Sequence, residues 1–397
     1  MEILFTALGK ILLLTLSVPA VAALFLEIKW RLRPGNKIEL TAGDWSYVVF
    51  EPEQYVLVGK LELINYNPTR EVFIPHIEPK VTLLSEKSLE GITYKCQVSP
   101  RHHDIPAKND GYWFAYIVNP QMLEPQNKTA LEICLEIQGA DLQPLQTAWI
   151  QVQYDTYGPE GLVSKTRHIV LPLQFPDPNT DPQWRQTPVA QVLPIRTHIL
   201  THTDRPEDVI ERYVTPHAQP GDIVAISESP MAIMQERLIH YKKVKPGWVA
   251  KRLCQYFHHK GSFSTAGGLQ VLVDMIGPLR VIYAFVGGAF YKAVLKEPGM
   301  FYTLAGPQAK LIDDVTGTIP PYDQFIVLGP DNPQQIVDEI KQKTGLDAAI
   351  IDANDLSAVF VLASSGVSEQ LLQDALRKNP AGNDNQQTPI VLIRPNR

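Results

Sequence analysis

Asp352 directly follows the hydrophobic run Ala348-Ala349-Ile350-Ile351. Such a run reads as a buried strand, and in open α/β sheets ligands gather beyond the carboxyl ends of strands, where a carboxylate can hold a hard cation. Asn354 and Asp355 are both turn formers, so a second reading stays open in which Asp352 only caps the following turn. Asp313-Asp314 precede Val315-Thr316-Gly317-Thr318 and Pro320-Pro321. Adjacent carboxylates with two hydroxyls offer the oxygen ligands that magnesium or manganese takes alongside phosphate oxygens, and a solvated loop is the competing reading. Ser262, Ser264, Thr265, Gly267 and Gly268 form a small-residue loop able to turn backbone N–H groups toward an anion, without the Gly-Lys-Ser/Thr ending of a P-loop. The pairs His102-His103 and His258-His259 read as surface histidines, because sequence neighbours point apart and no Cys or His stands at matching spacing. Neither a Gly-x-Ser-x-Gly elbow nor a His-Glu-x-x-His motif occurs.

Two kinds of element must position these groups. From Lys37 to Phe175 the chain alternates apolar and polar residues between Asn, Pro, Gly and Asp turns: Tyr55–Val58, Leu61–Ile64, Leu131–Ile137, Trp149–Tyr154 and Ile169–Leu173. This predicts an all-β immunoglobulin-like sandwich over 36–176. Phe175-Pro176-Asp177-Pro178 and Pro182 cannot sit in a central strand, so a linker is expected at 177–188. The remainder, 189–397, alternates helix and strand and predicts an α/β domain with a mixed sheet. Asp204 is placed to cap a helix bearing Val209, Ile210 and Tyr213, ahead of the strand Asp222–Ile226. A strand at Phe325–Leu328 leads to Asn332 as N-cap, Pro333, a helix with Ile336, Val337 and Ile340 on one face, Gly345 as C-cap, and the strand ending before Asp352. That crossover is long enough for the two strands to pair in parallel. Ser368 opens a last helix, and Pro389–Ile393 a last strand.

Composition limits the function classes. With 36 Lys+Arg against 42 Asp+Glu the net charge is −6, and no Lys/Arg block offers the electrostatic footprint of a nucleic-acid binder. Three cysteines without metal-ligand spacing fit a reducing compartment better than a disulfide framework. The stretch Ile3–Ile28 is apolar apart from Lys10, Glu27 and a few small polar residues, and approaches the roughly 20 residues that span a bilayer. It predicts a single-pass transmembrane anchor over 1–30. A secretory signal cleaved after Ala20-Val21-Ala22 is the alternative, but apolar residues continue through Leu26. Lys29, Arg31 and Arg33 follow at once, so the soluble domains are expected on the cytoplasmic side. A second apolar stretch, Val281–Leu295, holds Gly287-Gly288 and is too short to span between Arg280 and Lys292; it reads as a core helix or as a membrane-contacting patch.

Leu328-Gly329-Pro330-Asp331-Asn332-Pro333, the helix to Thr344-Gly345, and Ala348–Asp352 resemble the coenzyme F-420-0:L-glutamate ligase family, in which a Pro-x-Asp-Pro turn opens a helix and the next strand ends in Asp. Pro194–Asp204 with Pro220–Ile226, and Gly382-Asn383 with Thr388–Arg394, resemble its other segments. The resemblance covers about residues 189–397. It implies a γ-glutamyl ligase that joins glutamate to a carboxylate acceptor using GTP and a divalent metal, Mg or Mn, with phosphoryl transfer creating an acyl phosphate for the amine to attack. It carries over only Asp352 as a metal ligand; Asp313 and Asp314 lie near where the family's other metal-binding loop would fall, and Ser227, Ser229, Gly267 and Gly268 are the candidate nucleotide contacts. The family's two Ser-Lys phosphate contacts are here Ser227-Glu228-Ser229 and Ala232-Ile233, which removes both lysines and adds an acid; Arg237 and Lys310 are the available replacements. A catalytically degenerate, ligase-like scaffold at the membrane, with a protein partner on the β domain, is therefore the competing expectation.

Overall fold

The computed structural model describes residues 15, 17–29, 36–106, 111–158, 160–258, 261–296, 299–313, 319–353, 359–380, 382 and 386–396. Asp314, the Val315–Thr318 loop, Asn354, Asp355, His259 and Asn383 lie outside them. Residues 17–29 form helix α1, whose Val21, Leu24 and Phe25 are exposed.

The N-terminal domain is a sandwich of two antiparallel sheets. One orders β1 (Ile38–Leu40), β3 (Gln54–Asn65), β7 (Lys128–Gln138) and β5 (Thr93–Arg101), with β2 (Asp44–Glu51) also paired to β3. The other orders β6 (Tyr116–Val118), β4 (Val72–Ser85), β8 (Leu145–Gly158) and β9 (Gly161–Pro172). Burial alternates along β3 and β7, as a period of two demands when one face meets a core: Leu57, Leu61 and Leu63 face inward with Ile133, Leu135 and Ile137. The runs Tyr55–Val58 and Leu61–Ile64, expected as two strands, are one. Gly59 does not break it; a Cβ there would stand 2.5 Å from the Trp45 ring, so the glycine gives the indole its seat. His102 is buried rather than superficial: it stacks on Tyr116 at 4.0 Å, and its Nδ1 lies 2.7 Å from Thr129 Oγ1.

The second domain is built on a six-stranded mixed sheet. Its order is β10 (Arg185–Gln186), β11 (Ala190–Ile195), β17 (Ile390–Pro395), β12 (Ile223–Ser227), β15 (Asp347–Ala353) and β16 (Val359–Ser364). Only β12 and β15 run parallel. Successive residues of β12 enter opposite cores: Val224 and Ile226 meet helices α2 (Pro206–Tyr213) and α8 (Pro333–Thr344), while Ile223 and Ala225 meet α9 (Glu369–Leu376). Burial on both faces is why these strands read as unbroken apolar runs.

Two local expectations change. β14 (Phe325–Val327) does not pair with β15; it forms a separate two-stranded sheet with β13 (Leu238–His240), and the parallel partner of β15 is β12. Asp204 does not cap α2, which begins after Arg205; its carboxylate accepts from the Thr201 amide at 2.7 Å and meets His198 Nε2 at 2.9 Å, tying the loop instead. In α8 the expected punctuation is present: Asn332 and Gly345 flank it, both in the left-handed region.

Between β13 and β14 a helical group packs on its own core, comprising α4 (Trp248–Leu253), α5 (Ala266–Ile276), α6 (Pro278–Phe290, prolonged to Leu295 by a wider turn) and α7 (Met300–Ala305). Of α6 only Val281 and Ala284 are buried, so the second apolar stretch is not a core helix.

The two domains are joined by packing. Trp149 and Val170 of the sandwich form one buried cluster with Ile199, Ile233, Tyr322 and Phe325 of the second domain. In the proline-rich connection, Phe175 lies 6.0 Å from Tyr47 and 5.1 Å from His198, under the Arg212 guanidinium.

Candidate functional site

β12 and β15 end side by side. Ser227 pairs in register with Ile351, so Asp352 stands one residue beyond, and both line a cavity of about 280 Å³. This is the carboxyl edge of the parallel pair, where strand ends leave space that a loop must cover. The turn out of β12 enters α3 (Glu228–Met234) at once, which brings Glu228 and Ser229 into the same cavity. Asp313 arrives from the far side on a two-way backbone bridge to Val327, 2.9 and 2.8 Å, and accepts a 3.2 Å hydrogen bond from Ser229 Oγ. Opposite lie Thr197 and His198 after β11, and Gln387 and Thr388 before β17.

The electrostatics are acidic. Glu228 is 7% exposed, and burial, reinforced by the nearby Asp352 and Asp313 carboxylates, raises its pKa to about 9. The carboxyl is therefore protonated at neutral pH. Burial also raises Asp352 above the ordinary carboxylate value. No Lys or Arg stands among the described residues of the lining. Arg237 donates from Nε to the Gly329 carbonyl, and Lys310 is exposed, so neither replaces the missing lysines within the cavity. His198 is engaged on both ring nitrogens, by Tyr213 Oη at 2.8 Å and by Asp204.

Of the residues singled out in the sequence, the structure brings Asp352, Asp313, Ser227 and Ser229 together. Gly267 and Gly268 lie elsewhere: they form the first turn of α5, capped by Thr265, whose Oγ1 accepts from the Gly268 amide at 3.0 Å. The cap uses that amide. Asp314 is outside the described residues. In sequence Glu228 reads only as an added negative charge; its position two residues after the buried run Ile223–Ile226 is the signal that places it at a strand end. Asp222, at the other end of β12, has a structural task, with its carboxylate held by Arg394 Nε at 2.9 Å and by a terminal guanidinium nitrogen at 2.7 Å.

The sandwich carries a family likeness. Residues 39–175 match the family model described as F420-0:gamma-glutamyl ligase, N-terminal Ig-like domain. The likeness is to the Ig-like domain of a ligase family and spans about a third of the chain. The resemblance read in the C-terminal half is thus supported from the half it had left out. Among curated proteins no sequence match was found. Among solved structures, the GAE domain of yeast GGA1 is 14% identical with a TM-score of 0.20, over 36% of this chain and 96% of its own. A protein from Archaeoglobus fulgidus is 11% identical with a TM-score of 0.18, over 34% and 97%. The GAE domain of GGA2p from Saccharomyces cerevisiae is 11% identical with a TM-score of 0.15, over 32% and 98%. At such scores these likenesses carry no argument.

The F-420-0 ligase resemblance implies a divalent cation. Among the described residues no three His, Cys, Asp or Glu side chains close to metal-holding distances. A magnesium-type ion asks for less, since it takes one or two carboxylates and completes its shell with water and phosphate oxygens. Asp352 and Asp313, hard oxygen donors from two elements facing one cavity, fit that demand.

Proposed function

We propose that this is a membrane-anchored member of the F-420-0:γ-glutamyl ligase group, acting as a GTP- and divalent-metal-dependent amide ligase on a small carboxylate acceptor, with glutamate as the amine. The observation that carries the reading is the meeting of Ser227, Glu228, Asp313 and Asp352 in one cavity at the carboxyl ends of β12 and β15. Asp352 and Asp313 would hold the cation, Mg or Mn, which neutralises phosphate charge when bound. Ser227 and Ser229 offer hydroxyls to phosphate oxygens. In the reaction of this class an acceptor carboxylate oxygen takes the γ-phosphoryl group and GDP departs. The glutamate nitrogen then bonds to the acyl carbon, phosphate leaves, and the nitrogen loses a proton. Glu228, neutral at the start, can donate a hydrogen bond in a cavity where an ionised third acid would repel the phosphate. Helix α1 would be the anchor, with Lys29, Arg31 and Arg33 holding the soluble domains on the cytoplasmic side.

One observation favours a second reading. The described lining has no cation to face a polyphosphate, which suits a ligase-like scaffold that has lost catalysis and recruits a protein partner through the β domain. Calorimetry of the full chain in detergent separates the two. The ligase reading expects Mn²⁺ to bind, GTP to bind only with Mn²⁺, and GDP release that depends on glutamate plus an acceptor. Absence of heat for Mn²⁺ and for GTP in its presence removes it.

A further inference from the structure

Helix α6 offers solvent a continuous apolar stripe. Leu279, Tyr283, Val286, Phe290 and Val294 follow each other at steps of four and three, the spacing of one helix face, and are 81, 64, 61, 57 and 60% exposed. Soluble surfaces seldom leave such a row uncovered. The opposite face is fully committed to the fold: Val281 and Ala284 are buried, and at Gly288 a Cβ would stand 2.8 Å from the Phe301 amide nitrogen, so α7 lies directly against the helix. By length and a mean hydropathy of 1.2, Pro278–Leu295 would suffice to cross a membrane. A helix with one face sealed against α7 and the other bare is built to lie flat on a surface rather than to span.

The charges name the surface. From Pro278 to Lys296 the segment carries Arg280, Lys292 and Lys296, all exposed, and no acid. Next to it, the Tyr256 ring lies 5.5 Å from that of Phe285, on a segment from Trp248 to His258 that adds exposed Lys251 and Arg252 and again no acid. Trp248 and Tyr256 are 69% and 75% exposed, the amphipathic rings that settle at the headgroup level of a bilayer. In a chain of net charge −6 this rim is locally cationic. Two copies meeting through it would oppose like charges, whereas anionic lipid headgroups complement them.

We propose that the exposed face of α6, with Trp248 and Tyr256, docks on an anionic lipid bilayer as a contact separate from α1. It rests on the membrane part of the proposed function and is independent of the ligase part. The helical group between β13 and β14 then serves as a membrane foot for the second domain.

The test uses the full chain in lipid nanodiscs at one copy per disc, with p-benzoylphenylalanine replacing one exposed aromatic at a time. Phe290 reports on α6, Phe25 on α1, and Tyr157 on the sandwich. After illumination, mass spectrometry should find lipid adducts at Phe25 and Phe290 but none at Tyr157, with several-fold more at Phe290 in phosphatidylglycerol than in phosphatidylcholine discs. Lys251→Glu with Arg252→Glu should abolish that preference. Adducts at Phe25 with none at Phe290 overturn the docking face and spare the anchor. Adducts at neither overturn both. Chain-to-chain adducts from Phe290 in discs holding two copies, in place of lipid adducts, show a self-interface and overturn the lipid assignment.

Discussion

Ser227 and Asp352 stand at the carboxyl ends of adjacent parallel strands and line one cavity, while the fold gives neither a cationic partner there among the described residues. Carboxylates gathered without cations repel each other until something neutralises them. Glu228 does so by keeping its proton, and a divalent ion can do so for Asp352 and Asp313.

Asp352→Asn separates ligand binding from stability. Loss of one charged oxygen ligand should lower Mn²⁺ affinity by about an order of magnitude or more, read by calorimetry. The same change removes a partly buried charge, so the metal-free variant should melt no lower than wild type. A variant that melts lower and binds Mn²⁺ as before would mean that Asp352 serves the turn alone.

Glu228→Gln tests the buried carboxyl through pH, with chelator present throughout. The folded chain keeps this proton up to about pH 9, whereas the unfolded chain releases it near 4.5. Between those values the folded state binds more protons, so the contribution of Glu228 is fully present below the lower value and is lost as pH rises through the upper one. Urea midpoints of wild type should fall across that window more steeply than those of Glu228→Gln. Parallel curves would show that Glu228 ionises normally.

A histidine stack between the domains should respond in the opposite direction. His168 of β9 lies on His240 of β13 at 4.4 Å, with Arg167, Lys242, Lys243 and Glu236 around them. Burial, followed by the stacked His240 and then the neighbouring cations, lowers His168 from 6.5 to about 3, and His240 and His202 are also lowered. The unfolded chain therefore binds more protons between about 3 and 6.5; stability is complete above 6.5 and declines as pH falls. His168→Phe keeps a ring against Phe325 and removes that titration, so its urea midpoint should decline less on acidification. Equal acid slopes for variant and wild type would place the titrating groups elsewhere.

Much of the architecture was legible because periodicity reports burial. The alternation in Leu131–Ile137 marked a half-buried strand, the unbroken run in Ile223–Ile226 marked one covered on both faces, and Asn332-Pro333 with Gly345 marked the limits of α8. Pairing was not legible. Phe325–Val327 precedes β15 in sequence, but its hydrogen bonds go to Leu238–His240, which lie far back along the chain. Local pattern carries no information on which distant strand fills an edge. The site was partly visible for the same reason: Asp352 announces itself by following an apolar run, whereas Asp313 is placed by a bridge to Val327 that no spacing records.

Trp149 tests what the Ig-like domain does for the cavity. Its indole shares one buried cluster with Ile199, Ile233 and Tyr322, and those three residues also line the cavity. The sandwich therefore backs residues that share the cavity with Asp352, which gives the Ig-like domain a physical part in the site. Trp149→Ala removes a 5%-exposed ring and should cost about 3–5 kcal/mol in urea unfolding. Where the variant remains folded, the wall loses its backing and Mn²⁺ should bind more weakly, although Trp149 is not itself among the residues that line the cavity. Trp149→Phe should restore most of both losses. If Trp149→Ala loses stability while Mn²⁺ binds unchanged, the sandwich supports the fold and leaves the cavity to the second domain.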